Sequence, residues 1–378
     1  MKRKVKIFPL TLAFVFFVFS LSFLFIVLPK KYKSENEKRI LSKFPQLTAS
    51  SLTSGKFTSD LDTYLADHFP FRDVFVGINS YANLAMGQNG DSGVYKGKDG
   101  YLITAPEKFD PVKIKKNTKY ISDFSRRTML PTSFILVPTA GYIMDEKLPE
   151  NHKKYYDDNV FSIVKNNSLG FDLVDLRENF KTSKDEIQLY YKTDHHLTSS
   201  GSISMYNYFC QYKKIEPAEF TLDKTVDGFY GTAYSKSGLW LEKPDDIEIW
   251  KSKSKTDYSV LISDGNKTKT SKDLYFNSHL EEMDKYPVFL DGNHGYVQIK
   301  NKNCHNGKRL LLIKDSYAHC FSTFLIENYE EIDMIDLRYY HNSFKNIIED
   351  NSLNEILFVY GVENLMSSTD ISWLTRTQ

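Results

Sequence analysis

Two short stretches of the chain hold residue types suited to acyl transfer. One is Tyr190-Tyr191-Lys192-Thr193-Asp194-His195-His196, the other Leu311-Leu312-Ile313-Lys314-Asp315-Ser316-Tyr317-Ala318. In the second, an apolar run reaches Asp315-Ser316 and gives way to a helical pattern. At a strand-to-helix turn of a parallel α/β sheet a serine Oγ stands where ligands bind, and the backbone N–H groups that follow can hold an oxyanion. The nucleophile-elbow pattern G-x-S-x-G is absent, and Asp315-Ser316 also suits an ordinary helix cap. A serine nucleophile needs a base, and the base needs an orienting acid. If Asp194 to His196 is extended, residues 194 and 196 share a face. Asp194 then holds the His196 ring, the other ring nitrogen is left for Ser316, and His195 points the other way. A polar surface loop can carry the same letters. Asp and His are also zinc ligands, but His294 and His305 lie at no diagnostic spacing, and neither a metal nor another cofactor is expected. A third stretch, Tyr286 to Gly295, ends in Gly-Asn-His-Gly, a turn after an apolar run. Asn293 there is either an oxyanion donor through its amide or a residue favoured for left-handed turn geometry.

These residues need elements to position them. Phe134–Pro138 is a short continuous apolar run, as in a strand buried on both faces. Residues 171–176, 309–313 and 356–360 are further strand candidates, and helical patterns cover 200–212, 317–328 and 341–349. Alternation of strands and helices predicts an α/β fold with a mostly parallel central sheet. Residues 213–300 break the rhythm with short Tyr-, Lys- and Gly-rich pieces, which predicts an insertion or β-rich part. Val94–Ile103 reads as a hairpin turning at Lys98-Asp99-Gly100. Upstream, Phe57–Met86 has helical apolar spacing interrupted by Pro70, which predicts two helices broken at His68–Arg72.

Ile7 to Pro29 is an uncharged run of about 23 residues, long enough as a helix (about 34 Å) to cross a bilayer core. Lys2, Arg3, Lys4 and Lys6 precede it and favour a cytoplasmic N-terminus, although Lys30, Lys31 and Lys33 weaken the asymmetry. No small-residue pair marks a cleavage site near its end, so an uncleaved signal anchor is expected rather than a cleaved signal peptide. The expected organisation is a cytoplasmic tail (1–6), a transmembrane signal anchor (7–29), a polar stalk (30–60) and a catalytic domain (61–378). Over 378 residues, 49 basic side chains balance 48 acidic ones, a net charge of +1, which offers no electrostatic grip on nucleic acid. Cys210, Cys304 and Cys320 make no disulfide framework; three free thiols are expected over one bridged pair.

Taken together, the blocks are similar to a known family. Tyr191–His196 resembles the signature of the bacterial family named for its Asp-His-His-Trp (DHHW) motif. Phe289–His294, Lys314–Ala318 and Asp336-Leu337-Arg338-Tyr339-Tyr340 resemble its other blocks. Asp67–Arg72 and Val94–Leu102 resemble the wider group of alginate O-acetyltransferase-like proteins, so the likeness runs from about residue 35 to the end. It implies an SGNH-hydrolase-like fold with an Asp-x-His pair upstream of a serine nucleophile, here Asp194, His196 and Ser316. It also implies transfer of acetyl groups to extracytoplasmic polysaccharide, the acetyl coming through a membrane-bound O-acyltransferase partner. Leu197 stands where the family has Trp. Apolar bulk is kept there, but stacking of an aromatic ring on sugar is not.

The leading expectation is a membrane-anchored O-acetyltransferase acting on a cell-surface or exported polysaccharide. Ser316 attacks the acyl carbon, His196 moves the proton and Asp194 sets the tautomer. Asn293 and the Ser316 N–H are oxyanion donors, and His195 and Tyr317 are substrate-binding candidates. An SGNH-type esterase that removes acyl groups, and a non-catalytic glycan-binding or assembly protein of the same fold, are the alternatives.

Overall fold

The computed structural model describes residues 8–265, 267–344, 347–348 and 353–376. It divides into two compact units. The first is Met1–Asp91 with Gly238–Trp240, and the second is Ser92–Ser237 with Leu241–Gln378.

The first unit holds α1 (Phe8–Val27), a helix of 20 residues with no buried side chain. It is long and apolar enough to cross a membrane. The tail expected at 1–6, and Ile7, lie outside the described residues. The stretch 30–60, expected as a stalk, is ordered in part. Lys33–Ser34 pairs with Arg39–Ile40, and the Arg39 guanidinium grips the Asp67 carboxylate through Nη1 at 3.0 Å and Nη2 at 2.5 Å. That contact holds Asp67 well below the usual carboxylate range. The expected pair of helices is present as α2 (Lys56–Asp67) and α3 (Arg72–Ala85), with Pro70 in the break. Phe71 enters α3 at φ 57°, the left-handed conformation that the break imposes.

In the second unit, β1 (Val94–Lys96) and β2 (Leu102–Thr104) pair antiparallel across the turn Lys98–Gly100, as the sequence predicts. The main chain then alternates through α4 (Pro111–Thr128), β3 (Thr132–Val137), α5 (Asp157–Asn166), β4 (Asp172–Asp175) and α6 (Ser199–Lys213). Residues 213–300 do two different things. A hairpin of β5 (Phe220–Phe229) and β6 (Asp245–Ser252) stands as its own two-stranded sheet, whereas β7 (Tyr258–Asp264), β8 (Lys267–Ser271) and β9 (Tyr296–Asn301) extend the central sheet. The chain closes with β10 (Arg309–Lys314), α7 (Ala318–Leu325), β11 (Glu331–Ile335), β12 (Glu355–Gly361) and α8 (Val362–Ser367).

The central sheet has eight strands in the order β8-β7-β9-β11-β10-β12-β3-β4. The five from β11 to β4 are parallel, and β9, β7 and β8 add antiparallel pairs at one edge. The site strand β10 lies between β11 and β12. Alternation along β10 sends Leu310 and Leu312 into one core layer, under α6 and α7, and Leu311 and Ile313 into the other, under α4 and α5. All four are fully buried, at roughly 1.5–3 kcal/mol each. Parity places Lys314 on the Leu312 face, so a cationic side chain ends an apolar strand. Of the helix expected at 341–349, residues 345, 346 and 349 lie outside the described residues, and 341–344 are not helical. Cys210 and Cys320 are buried free thiols and Cys304 is a partly buried one.

Candidate active site

Ser316 follows the carboxyl end of β10 and precedes α7. Its Oγ lies 2.7 Å from His196 Nε2, and His196 Nδ1 lies 2.5 Å from Asp194 Oδ1. The three side chains are buried, with Ser316 7%, His196 5% and Asp194 2% exposed. Asp194 and His196 meet, but not by the extended geometry the spacing suggested. Residues 192–196 form a bend, and the Asp194 carboxylate turns back to accept the His196 backbone N–H at 2.9 Å as well as the ring N–H. His195 therefore does not point away. Its ring lies 3.9 Å, centroid to centroid, from that of His196, and its Nδ1 is 2.8 Å from Thr232 Oγ1.

The bend is held by groups distant in sequence. Asp245, at the start of β6, accepts the backbone N–H of Lys192 at 2.8 Å and of Thr193 at 2.7 Å, and the Thr193 hydroxyl at 2.7 Å. Asp194 Oδ2 accepts the Thr232 N–H at 2.6 Å and its hydroxyl at 3.0 Å. Asp194 thus has acceptor sites filled on both oxygens, the condition under which a buried carboxylate is tolerated. The Tyr286 ring stacks on His196 at 3.9 Å with 11° between planes, and its hydroxyl donates to the Ser316 carbonyl at 3.1 Å. Asp315 braces the turn on the other side. Its carboxylate accepts Gly361 N at 2.7 Å, Asn364 Nδ2 at 2.7 Å and Tyr317 N at 3.0 Å. Burial pushes the Asp315 carboxyl up, against those bonds.

Of the other sequence candidates, Tyr317 donates its hydroxyl to the His195 carbonyl at 2.9 Å and lines a small pocket with Tyr101, Asp194, His195 and Glu363. Asn293 is exposed, and its Oδ1 accepts from Arg338 Nη2 at 3.1 Å. The Ser316 N–H donates to no acceptor among the described residues. Leu197 is 1% exposed within the core, so position 197 packs rather than faces a ligand. Asp194, His195 and His196 could together reach a cation, but Asp194 and His196 are already committed to each other and to Ser316. His294 bonds to Asp264, away from them.

Sequence reasoning passed over Thr232, Asp245 and Lys314 as site-building groups, and Tyr286 was visible only as the start of the Asn293 stretch. Nothing local marks Asp245 or Thr232. Lys314 had a signal, a lysine closing an apolar strand one residue before Asp315. It is 2% exposed and donates to Asp336 Oδ2 at 3.1 Å, with His319 Nε2 at 2.6 Å. Burial lowers its pKa, and burial and then Lys314 hold His319 well below its ordinary value. His319 is therefore the neutral acceptor of that pair.

A mostly parallel α/β sheet with Ser316 at the end of a central strand, beside an Asp-x-His bend, has the SGNH-hydrolase-like architecture. The family model described as DHHW protein matches residues 161–335, so the likeness read from the motifs holds over that span. A DHHW family protein from Eubacterium siraeum superposes with a TM-score of 0.63 at 21% identity, covering 75% of this chain and 95% of that one. Bacillus cereus PatB1, solved with a sulfonyl adduct, gives 0.62 at 21% identity over 75% and 98%. The O-acetyltransferase domain of Pseudomonas putida AlgJ is more remote, at 0.48 and 12% identity over 75% and 98%. At these identities the first two likenesses are likenesses of fold. No curated protein sequence matches the chain.

Proposed function

We propose that the protein is an O-acetyltransferase, anchored in the membrane by α1, that modifies a cell-surface or exported polysaccharide outside the cytoplasm. The observation that carries this reading is the continuous chain from Asp194 through His196 to Ser316, 2.5 and 2.7 Å long at its two links. Ser316 Oγ attacks the acyl carbon while His196 Nε2 takes its proton. Asp194, accepting from Nδ1, keeps the ring in the tautomer that leaves Nε2 basic. Collapse leaves an acetyl-Ser316 ester and releases the donor alcohol with the His196 proton. A glycan hydroxyl then repeats the sequence in reverse. Acetyl as the group, polysaccharide as the acceptor and a membrane-bound O-acyltransferase as the source rest on the resemblance to the DHHW and alginate O-acetyltransferase-like group.

The test is label transfer. With a radiolabelled activated acetyl ester and oligosaccharide acceptors, wild-type protein moves label onto sugar, and Ser316→Ala loses at least about 1,000-fold of that activity with little loss of stability. An alanine variant with full turnover sinks the reading. Turnover without label on any sugar turns it into that of an esterase. The anchor is tested separately. The protein stays with membranes through a high-salt wash and keeps its N-terminus, whereas a soluble form starting near residue 30 overturns this part.

A further inference from the structure

The block Asp336–Tyr340 has no role in the triad, yet it follows the strand next to the one that leads to the nucleophile. In the parallel pair of β10 and β11, Ile313 is opposite Ile335. Ser316 and Arg338 follow the carboxyl ends of these neighbouring strands, and Asp336, which fastens Arg338, is bonded to Lys314, two residues before Ser316. The Arg338 guanidinium is fixed in place. Nε donates to Asp336 Oδ1 at 2.9 Å, Nη2 to Asp336 Oδ2 at 2.6 Å and Nη2 also to Asn293 Oδ1 at 3.1 Å. Nη1 finds no acceptor among the described residues, and the side chain is 34% exposed. Asp336 is shared with the buried Lys314 ammonium, so two cations hold one carboxylate and the charge of Arg338 is not fully neutralised by it. The other nearby carboxylate, Asp315, is bound to Gly361, Asn364 and Tyr317 rather than to Arg338.

We propose that Arg338 is the cation that receives the oxyanion formed when Ser316 attacks the acyl carbon, and that Asn293 is its positioning partner. The inference rests on the acyl-transfer reading and deepens it. In the attack the Ser316 Oγ–C bond forms, the carbonyl π pair moves onto oxygen and the hydroxyl proton passes to His196 Nε2. In the collapse that pair returns, the bond to the leaving oxygen breaks and the His196 proton leaves with it. One full negative charge appears on the acyl oxygen between these two events. The Ser316 N–H supplies one donor. A guanidinium already fastened by Asp336 and Asn293 supplies charge and a second donor with no reorganisation when the charge appears. Arginine only donates, so Asn293 must turn its carbonyl oxygen to Arg338. Its carbonyl oxygen is thereby the atom that holds Arg338.

The experiment uses the full-length protein in detergent with p-nitrophenyl acetate and no glycan, so that only acyl-enzyme formation and hydrolysis are read. Arg338→Gln lowers kcat about 100-fold with KM changed less than about threefold. Arg338→Lys keeps an intermediate rate, and added guanidinium ion restores part of the activity of Arg338→Ala. Asn293→Ala loses about tenfold. Thermal unfolding of each variant shows that the fold is kept, and the rate at which phenylmethylsulfonyl fluoride labels Ser316 falls in parallel. Wild-type kcat and labelling rate in Arg338→Gln, with Ser316→Ala inactive, overturn the inference and leave the proposed function standing. If Arg338→Gln is wild type in this assay and a second assay with an acidic oligosaccharide acceptor shows only a raised KM for it, Arg338 reads an anionic group of the glycan and the oxyanion role is wrong. Full turnover in Ser316→Ala removes the proposed function and this inference together.

Discussion

His195 and His196 are adjacent in the sequence and in space and both approach Asp194, at 3.4 and 2.5 Å, yet their other partners differ. His196 bridges Asp194 and Ser316, whereas His195 meets Thr232 and receives Tyr317 at its carbonyl oxygen. The reading of His196 as the base predicts different losses. His196→Ala removes turnover by about 1,000-fold or more. His195→Ala keeps a measurable fraction, on the order of one-tenth, because it loosens Thr232 and the Asp194 side of the site without removing the base. Steady-state ester turnover of the two variants checks this, and equal losses, or a greater loss at His195, reverse the assignment. At this scale much was legible beforehand. Asp194, His196 and Ser316 were named by residue type and spacing, and they meet. The route differs from strand alternation: an Asp side chain capping its own bend brings positions 194 and 196 together. Hydrogen bonds of that kind are local but compete with strand geometry, and letters alone do not say which wins.

Elements, not single residues, decide how closely the bend approaches its supports. Gly231 sits against it. A Cβ there would overlap Asp194 Cβ and crowd Asp194 Oδ2 and the Thr193 carbonyl, and Gly231 N also donates to Thr193 Oγ1 at 3.0 Å. Gly231→Ala is therefore expected to push Asp194 off His196. A displacement of about 1 Å at such a position costs on the order of 100-fold in rate, with a fall in the unfolding temperature of a few degrees. Ester kinetics together with a melting curve check this. Unchanged kcat in a folded Gly231→Ala protein contradicts the packing described. The same scale explains why β5 and β6 were hard to place from sequence. Their apolar residues are short and mixed with Lys and Asp, since much of the hairpin is open to solvent. The first residue of β6, Asp245, nevertheless reaches the bend at 192–196.

For the molecule as a whole, the carboxyl of Glu363 couples the site pocket to stability. It lines the pocket with Asp194, His195 and Tyr317. Burial, then Asp157 and Glu107, push it up to about 8 from 4.5, with Lys236 opposing. The unfolded chain loses this proton near pH 4.5 and the folded chain near 8. Between these values the folded state binds more protons, so the contribution of Glu363 to stability falls as pH rises through that window and is level again above it. Wild-type protein is expected to melt at a lower temperature at pH 9 than at pH 6, and Glu363→Gln, which carries no charge at either pH, to lose less. Calorimetry at the two pH values decides this, and an identical difference in both proteins shows that Glu363 is not the group responsible.

The sequence by itself determined what depends on neighbours along the chain. An uncharged run makes α1, Pro70 separates α2 from α3, Lys98-Asp99-Gly100 turns β1 into β2, and apolar runs make β3, β10 and β12. These features follow from backbone sterics and from hydrophobic period, which act over a few residues. The tertiary structure decided which distant groups meet. His196 and Ser316 are 120 positions apart, Tyr286 slides under the His196 ring, Asp245 and Thr232 hold the bend, and Arg338 reaches the same end of the sheet as Ser316 because β11 pairs with β10. That order of strands is set by the burial of both faces of the sheet at once, a property of the folded whole that no single segment encodes.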